Sequence, residues 1–206
     1  MVIVDYGIGN VRNVERALQL AGAEPELSAD PAAIVTAGAV VLPGVGAFAS
    51  AAERLRTARL SDAVREAAAR GVPLLGVCLG MQLLFEESEE SPGIAGLGLL
   101  PGSVVRMHPS PGKVPHMGWN TLRHDRESSL LQRVPDGSYA YFVHSYIAET
   151  EAELVVSSSD HGGRFAAAVQ RGNVCGTQFH PEKSGALAAV IYRGLLAMAG
   201  ARAASA

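Results

Sequence analysis

Residues 72–82 read VPLLGVCLGMQ, and this stretch decides the predicted fold. The apolar run 72–77 predicts a buried strand, and a helix is expected to open at Leu79 and to include 81–87. Cys78 lies between the two elements in a Gly-x-Cys-x-Gly pattern, whose glycines tolerate the crowded backbone of a sharp turn. Such a turn projects its central side chain from the carboxyl edge of a parallel sheet. The stretch therefore predicts an α/β fold with Cys78 at its functional edge.

The chain on both sides of this turn has the texture of repeated strand-helix units. Before it, short apolar runs alternate with amphipathic stretches, which is typical of a parallel sheet. After residue 94 the segments are β-rich and punctuated by Gly and Pro, which indicates antiparallel additions. The predicted strands are 2–5, 39–42, 103–107, 139–147, 154–158, 165–170 and 173–179; the predicted helices are 11–21 with Asn10 as its cap, two pieces within 48–70 that meet near Ser61, and a last one that Ser184 caps.

We therefore expect one domain over residues 1–206, with a doubly wound, mostly parallel sheet of the flavodoxin-like type. Helices are expected on both faces of the sheet, and a flexible tail at about 202–206. The length of 206 residues and the hydrophobic content of 48% are sufficient for one sizeable core.

The composition argues against several classes of function. A net charge of −3 offers no basic face for nucleic acid, and no uninterrupted apolar stretch approaches the roughly 20 residues of a membrane span. The N-terminus has no basic leader, so we expect a cytoplasmic protein without membrane association. Only Cys78 and Cys175 are present, without a CxxC pattern or a histidine at ligand spacing. We therefore expect no metal, no cofactor and no disulfide, and an inert core thiol at Cys175.

A second segment supplies what the Cys78 thiol needs for acyl transfer. A nucleophile requires a base that takes its proton, and an imidazole base requires a partner that fixes its tautomer. His180 and Glu182 are two residues apart, so in an extended segment both side chains point the same way. Pro181 stiffens the link between them. The alternative for Cys78 alone is a small buried hydrophobe, and for Glu182 alone a solvated surface carboxylate.

The remaining histidines have less specific settings. Three lie in polar, turn-rich segments and are expected to face solvent, and two lie beside aromatic and apolar residues, where a core or pocket-wall position is expected. The first group is His108, His124 and His161, and the second is His116 and His144.

A glycine loop precedes the predicted helix at 48. The sequence PGVGAF at 43–48 follows a strand, so its N–H groups are candidate oxyanion donors. The competing interpretation is dinucleotide binding, since Gly44, Gly46 and Ala49 match a loose G-x-G-x-x-A spacing. That match is weak, because the acids about 20 residues further on, Asp62 and Glu66, lie in a helical pattern. No Walker A sequence occurs.

Six segments together resemble the class I, triad-type glutamine amidotransferases, and more closely those that serve imidazole glycerol phosphate synthase in histidine biosynthesis. The resemblance covers nearly the whole chain. The GVCLG and HPE segments are typical of the class, whereas DYGIGN and PHMGWN are the sharper indicators of the subgroup. The segments are DYGIGN at 5–10, LPGVGAF at 42–48, GVCLGMQ at 76–82, PHMGWN at 115–120, YFVHSY at 141–146 and QFHPEKS at 178–184.

The resemblance implies a glutaminase with Cys78, His180 and Glu182 as its catalytic triad. Cys78 would attack the side-chain amide of L-glutamine, form a thioester and release ammonia, and hydrolysis would then give L-glutamate. The backbone N–H of Leu79 and one at Val45 or Gly46 would form the oxyanion hole. The positions implied to hold glutamine are Gly46, Gln82, Ser145 and Tyr146; routine packing and capping is the alternative for the last three.

The resemblance also implies a partner. This is a (β/α)8-barrel cyclase, which takes up the ammonia and produces imidazole glycerol phosphate and an aminoimidazole carboxamide ribotide. The two subunits would form a heterodimer that acts as a lyase. Trp119 is the only tryptophan, in a segment interpreted as a polar loop, and tryptophan favours interface hot spots, although a core position is the alternative. The implied interface positions are Asn10, Asn13, Met117, Trp119 and Lys183.

Two positions depart from the pattern of the family, and two other functions stay open. Ile147 stands where a second aromatic residue commonly follows Tyr146, and His161 stands where tyrosine is expected. One alternative function is a glutaminase that serves another synthase, such as one making a vitamin cofactor. The other is a regulatory or redox-sensing domain that uses Cys78 without catalysis.

Overall fold

The computed structural model describes residues 1–108 and 112–204, and the elements below lie in these ranges. The strands are β1 (Val2–Val4), β2 (Glu26–Ser28), β3 (Val40–Gly44), β4 (Leu74–Cys78), β5 (Glu87–Ser88), β6 (Ser103–Arg106), β7 (His116–Thr121), β8 (Arg123–His124), β9 (Tyr139–His144), β10 (Tyr146–Glu149), β11 (Val155–Asp160), β12 (Arg164–Arg171) and β13 (Val174–Thr177). The helices are α1 (Val11–Leu20), α2 (Pro31–Thr36), α3 (Phe48–Thr57), α4 (Leu60–Ala69), α5 (Leu79–Gln82) and α6 (Leu187–Ala204), with a 3-10 helix at Pro181–Lys183.

An eight-stranded sheet forms the centre, in the order β2-β1-β3-β4-β13-β12-β11-β8. The five strands from β2 to β13 are parallel, and β12, β11 and β8 continue the sheet in antiparallel pairing. Taken in chain order, the parallel strands follow the flavodoxin-like sequence 2-1-3-4-5. The predicted fold class is therefore confirmed: a doubly wound, mostly parallel sheet with antiparallel additions.

Helices cover both faces of this sheet because successive strand residues point to opposite sides. Val2 and Val4 pack in one apolar cluster with α2, α3 and α4, whereas Ile3 packs in a second cluster with α1 and α6. Both clusters consist of buried side chains, each worth about 1.5–3 kcal/mol when removed from water. β3 and β4 are buried along their full length, as expected for central parallel strands.

Two smaller sheets lie outside the central one. β10, β6 and β5 form a three-stranded sheet, and β7 and β9 form an antiparallel ribbon in which Trp119 pairs with Tyr141. The His180 N–H donates to the Tyr141 carbonyl oxygen at 3.0 Å, so this ribbon is joined to the segment after β13. The ribbon therefore lies beside the carboxyl edge of the parallel strands.

Several elements differ from the sequence-based expectation. The helix expected over 81–87 is the single turn α5, because carbonyl groups at 83–86 accept hydrogen bonds from the loop 96–100 instead of continuing a helix. The segment 115–120, expected as a loop, is mostly strand β7, and 139–147 is divided at Ser145 into β9 and β10. α3 and α4 meet at Arg59, whose φ is 58°, and not near Ser61.

The helix ends also differ in detail. Asn10 occupies the N-cap position of α1, but its side chain makes no capping hydrogen bond. Ser184 does not cap α6 with its hydroxyl, which instead accepts from the Tyr141 N–H and donates to the His180 carbonyl oxygen. The flexible tail expected at 202–206 is corrected in part, because residues 202–204 are the end of α6. Residues 205 and 206 lie outside the described residues, and the assignment of 1–206 to one domain stays a prediction.

α6 is long and apolar enough to cross a membrane by length and composition alone, with a mean hydropathy of 1.3. Its buried residues, among them Ile191, Tyr192 and Leu195, pack in the core cluster on one face of the sheet. A core helix meets the same criterion, and the expected lack of membrane association stays a prediction.

Candidate active site

Cys78 ends β4 at the point where the chain turns sharply into α5. Its backbone has φ 54° and ψ −110°, a conformation that residues with a side chain rarely adopt. Such a conformation costs about 1–3 kcal/mol and persists only where the surrounding structure holds it. Because α5 is only four residues long, its dipole contributes less positive potential than the expected longer helix would.

Three glycines allow this turn because backbone atoms approach them closely. A Cβ atom at Gly80 would overlap the Leu42 carbonyl oxygen, and one at Gly76 would lie 2.5 Å from the Gly80 carbonyl oxygen. On the neighbouring strand, a Cβ atom at Gly44 would lie 2.7 Å from the Gly80 nitrogen. Any larger residue would push β3 or α5 away from the turn, so these glycines are required by space.

His180 reaches the same sheet edge from the adjacent parallel strand. Thr177 at the end of β13 pairs with Val77 of β4, so the residues that follow both strands emerge side by side. His180 Nδ1 lies 2.8 Å from Glu182 Oε1, and both side chains are only 2% exposed. The structure thus brings His180 and Glu182 together in a buried pair next to the Cys78 turn.

The charge of this pair follows from two opposing effects. Burial lowers the pKa of His180, but interaction with Cys78 and Glu182 acts in the opposite direction and raises that pKa to about 9. The ring is therefore an imidazolium at neutral pH. Its Nε2 atom is buried without a hydrogen-bond partner among the described residues, whereas Nδ1 is occupied by Glu182. Nε2 is the ring atom left for proton exchange with the thiol and a substrate.

A cavity of about 300 Å³ opens at this turn. A larger depression of about 690 Å³ lies elsewhere on the surface, around residues 124–134, and none of the three triad residues lines it. The smaller cavity is the candidate substrate site because it contains the nucleophile. Ten residues singled out from the sequence line it: Val45, Gly46, Cys78, Leu79, Gln82, His144, Ser145, Tyr146, His180 and Lys183.

Comparison with known proteins agrees with this geometry. The family model for class-I glutamine amidotransferases matches residues 2–193. The chain belongs to the class-I glutamine amidotransferases. This amidotransferase is also similar to proteins named imidazole glycerol phosphate synthase subunit HisH, which confirms the resemblance found in the sequence.

Two such relatives illustrate the extent of the match. The protein of Moorella thermoacetica is 52% identical over 185 residues, which are 89% of this chain and 88% of the relative. The protein of Methanosarcina mazei is 46% identical over 200 residues, which are 96% of this chain and 98% of the relative.

Two solved structures show the shared fold of the amidotransferase. One, described as a glutamine amidotransferase, has a TM-score of 0.77 at 22% identity and covers 97% of this chain and 98% of its own. The other, PurLQS from Thermotoga maritima, has a TM-score of 0.73 at 22% identity and covers 95% of this chain and 96% of its own.

In the amidotransferase, the substrate-site positions form a connected polar network. The Gln82 amide donates to the Tyr146 carbonyl oxygen at 3.1 Å and to Gln178 Oε1 at 3.0 Å. Gln178 Nε2 in turn lies 3.8 Å from Cys78 Sγ. Both of these hydrogen bonds from the Gln82 NH₂ group are made to other groups of the protein. Ser145 and Tyr146 also line the cavity, at the break between β9 and β10.

The glycine loop after β3 forms another wall of the cavity. Gly46 has φ 93°, which only glycine adopts without strain. The N–H groups of Val45 and Gly46 take part in no backbone hydrogen bond within the described chain, so they remain candidate oxyanion donors beside Leu79. The Tyr6 hydroxyl donates to the Pro43 carbonyl oxygen at 2.5 Å and anchors the strand end before this loop.

Of the implied interface residues, Lys183 lines the cavity, and Met117 and Trp119 lie on the β7–β9 ribbon. Met117 and Trp119 point from the same face of β7 and are 64% and 55% exposed. The rings of Trp119 and Tyr141 meet edge to face with their centres 6.0 Å apart, and Lys183 Nζ lies 5.7 Å from the Tyr141 ring centre. Tyr139, 63% exposed, extends this face. Trp119 is therefore on a surface strand and not in a core.

The other two implied interface positions belong to the start of α1. Asn10 is half-buried and Asn13 is exposed. α1 packs against the 3-10 helix that carries Lys183, so these positions lie on the same side of the molecule as the cavity.

A chain of neutral histidines connects β7 to the cavity wall. His116 Nδ1 lies 3.0 Å from His144 Nε2, and His144 Nδ1 lies 3.0 Å from the Tyr146 carbonyl oxygen. Burial lowers the pKa of His116 to about 4 and that of His144 to about 3. A neutral His144 must carry its hydrogen on Nδ1 to bond the carbonyl, so His116 donates to His144, and Asn120, 3.3 Å from His116 Nε2, donates to His116.

The histidines expected in solvent are more varied. His108 is exposed, but His124 and His161 are half-buried and bond to carbonyl oxygens of Val134 and Lys113. His161 also stacks on His116, with ring centres 4.2 Å apart. The histidine at position 161, where the family pattern has tyrosine, thus places a third imidazole beside His116 and His144.

Several residues of the site were not predicted from the sequence. Glu90, Pro115 and Val143 line the cavity, and Gln178 lies beneath it. The sequence signal was indirect: Pro115, Val143 and Gln178 lie within quoted family segments, whereas Glu90 does not. Cys175 is buried, and burial raises the pKa of its thiol to about 12, in keeping with an inert core position. No cluster of three metal-ligating side chains occurs within 1–108 and 112–204, and the expected absence of metal and cofactor stays a prediction.

Proposed function

We propose that this amidotransferase hydrolyses L-glutamine to L-glutamate and ammonia through a thioester on Cys78. The observation that carries the proposal is a cavity that contains the Cys78 thiol and His180, with the buried Glu182 carboxylate behind the imidazole. A cysteine nucleophile, an imidazole and an orienting carboxylate are the groups that acyl transfer requires.

The reaction follows from the atoms in place. The Cys78 thiolate, whose proton is carried by His180 Nε2, attacks the side-chain amide carbon of glutamine, and the carbonyl electron pair moves onto oxygen. His180 then gives its Nε2 proton to the leaving nitrogen, so the C–N bond breaks and ammonia departs. A water molecule, deprotonated by His180, next attacks the thioester carbonyl and releases glutamate. Glu182 holds the Nδ1 hydrogen throughout both steps.

The charges around the cavity fit an amino-acid substrate. Glu90 and Lys183 line the cavity with opposite charges, which complements the α-ammonium and α-carboxylate groups of glutamine. The Leu79 N–H and one from Val45 or Gly46 are proposed to stabilise the oxyanion, each worth about 3 kcal/mol in the transition state.

We further propose that a (β/α)8-barrel cyclase subunit receives the ammonia, converts it within histidine biosynthesis and forms a heterodimer with this chain. Two observations support this: the relatives are named as subunits of a synthase, and Met117, Trp119 and Tyr139 expose a large apolar surface beside the cavity. A docked partner would keep ammonia from escaping to water. The two buried thiols are compatible with the cytoplasmic location that we also propose.

An electrophilic glutamine analogue tests the nucleophile. The diazo-ketone analogue 6-diazo-5-oxo-norleucine is expected to label one cysteine, Cys78, and Cys78→Ala is expected to lower glutamine hydrolysis by roughly 10⁴-fold or more. Cys175→Ala is the matched control and should be labelled and active. Hydrolysis retained in Cys78→Ala would exclude the proposed chemistry and favour a sensor role for this thiol.

The partner is tested by assaying glutamine hydrolysis with and without the cyclase and its ligand. We expect the complex to be faster, and Trp119→Ala to weaken association while the isolated chain keeps its basal rate. Leu27→Ala, a half-exposed leucine on β2 at the far edge of the sheet, is the control. Equal turnover with and without the cyclase would contradict the coupling.

A further inference from the structure

Behind the His180–Glu182 pair, two buried polar atoms lack hydrogen-bond partners among the described residues. One is Glu182 Oε2, the carboxylate oxygen that does not bond His180, and the other is the Tyr192 hydroxyl. The Glu182 side chain is 2% exposed and Tyr192 is fully buried. Buried polar atoms are nearly always paired in native proteins, and a lone carboxylate oxygen in a core is especially unfavourable.

The two side chains belong to neighbouring elements of the fold. Tyr192 lies on α6, which packs against the 3-10 helix that contains Glu182. Burial, followed by the negative charge of Glu182, raises the pKa of Tyr192 well above its ordinary value. The phenol is therefore a neutral O–H group across the functional pH range. A neutral O–H group can donate to a carboxylate oxygen, whereas an ionised phenol could not.

We propose that Tyr192 is a positioning residue for the glutaminase site: its hydroxyl donates to Glu182 Oε2 and holds the carboxylate on His180 Nδ1. The terminal torsion of a glutamate side chain is broad, so the carboxylate can turn Oε2 towards the hydroxyl. With both oxygens engaged, the carboxylate keeps its orientation while the imidazolium gives up and regains its proton. This role rests on the proposed hydrolysis only for its catalytic consequence.

A hydrogen bond between Tyr192 and Glu182 should affect the pKa of His180, whereas packing of the Tyr192 ring alone should not. A carboxylate fixed on Nδ1 favours the imidazolium, so removing the hydroxyl should lower the His180 pKa from about 9. The alkaline limb of the kcat profile should then move to lower pH. Ring packing of Tyr192 in the core cluster would be unaffected by loss of the oxygen alone.

Tyr192→Phe tests the link in the full chain with its cyclase partner. We expect kcat to fall about tenfold with little change in KM, and the His180 imidazole, followed by ¹⁵N NMR, to titrate at lower pH. Ser159→Ala, which removes another buried and unpartnered hydroxyl from β11, is the matched control and should change neither. In a Glu182→Gln background, Tyr192→Phe should produce no further shift of the His180 titration.

Three outcomes would overturn the proposal. They are an unchanged His180 titration in Tyr192→Phe, an equal shift in the Glu182→Gln background, and a loss of thermal stability without any change in the pH profile. The NMR titration needs no turnover, so it also decides the question if Cys78→Ala were to show that the chain does not hydrolyse glutamine by the proposed route.

Discussion

Buried histidines in two regions of this molecule differ in charge, because one ring is positively charged and the others are neutral. His180 lies at the carboxyl edge of the parallel sheet beside Cys78 and Glu182, and its pKa is raised to about 9. His144 lies on the β7–β9 ribbon beside a carbonyl oxygen and a second imidazole, and its pKa is lowered to about 3. Burial lowers the pKa in both places. At His180 the interactions with Cys78 and Glu182 outweigh burial, whereas at His144 burial dominates, so the partners of a buried histidine decide its charge.

The difference separates two roles. The charged ring of His180 can give and take a proton, as acyl transfer requires. The neutral rings of His116 and His144 instead form a fixed, directional line of hydrogen bonds that ends on the Tyr146 carbonyl oxygen, which Gln82 also contacts. We therefore assign proton transfer to the sheet edge and shaping of the cavity wall to the ribbon.

The difference in charge between His180 and His144 would be reduced most if His180 lost its partner Glu182. Glu182→Gln keeps an oxygen acceptor but removes the charge, which makes the surroundings of His180 more like those of His144. We expect glutamine hydrolysis to fall by roughly 10³–10⁴-fold. Steady-state assays of released glutamate measure it, with Glu66→Gln on the exposed face of α4 as the control. Activity above about a tenth of the parent value would contradict the assigned role.

Removing a ring from the neutral chain should affect stability more than chemistry. His144→Phe deletes the bonds to His116 and to the Tyr146 carbonyl oxygen in a site already lined by Phe142 and Phe165. We expect the free energy of unfolding in urea to fall by about 1–3 kcal/mol. His108→Phe, at an exposed position, should leave it unchanged. A His144→Phe chain as stable as the parent would show that the hydrogen-bond chain contributes nothing.

The two histidine groups should also shape stability in opposite pH ranges. The unfolded chain protonates His116 and His144 below about pH 6.5, whereas the folded chain resists until about pH 4 and about pH 3. The free energy of unfolding should therefore fall as pH drops across that window. For His180 the folded pKa is raised, so its contribution is complete below about pH 6.5 and is lost as pH rises through about 9.

Urea titrations at several pH values measure the loss of stability at both acidic and alkaline pH. The acidic decline should be reduced in His144→Phe, and the alkaline decline should be reduced in Glu182→Gln. A parent chain whose stability is the same at pH 7 and pH 4.5 would contradict the neutral state of the ribbon histidines.

The smallest expected effect is at His161, the third ring of the cluster. Burial is the larger cause of the lowered pKa of His116, and the interaction with His161 is the second cause. His161→Tyr should therefore raise the pH at which His116 titrates by NMR. Because a tyrosine ring can still stack on His116, stability at pH 7 should change by no more than about 0.5 kcal/mol. An unmoved His116 titration would show that the His161 charge does not reach that ring.

Much of the catalytic edge followed from the sequence because local rules determine it. The glycines around Cys78 predict a strand-to-helix turn, and two neighbouring parallel strands necessarily deliver the residues after them to one edge. The pairing of His180 with Glu182 was also predicted from their spacing, but the expected extended segment is wrong, because Glu182 lies in the 3-10 helix Pro181–Lys183. These inferences need no knowledge of distant contacts beyond the order of the sheet.

The ribbon and the short α5 did not follow from the sequence, because distant contacts decide them. β7 contains Gly118 and Asn120, which favour a loop, and it becomes a strand only because β9 pairs with it. The run 81–87 has helical spacing, but the loop 96–100 takes its carbonyl groups. The approach of Tyr192 to Glu182 depends on how α6 lies on the sheet, which no local pattern specifies.

A ¹⁵N NMR titration of the histidine rings in the full chain measures the charge of His180. We predict that His180 stays protonated at pH 7 and loses its proton near pH 9, while His116 and His144 stay neutral down to about pH 5. A His180 ring that is already neutral at pH 7 would contradict the proposed state of the catalytic pair.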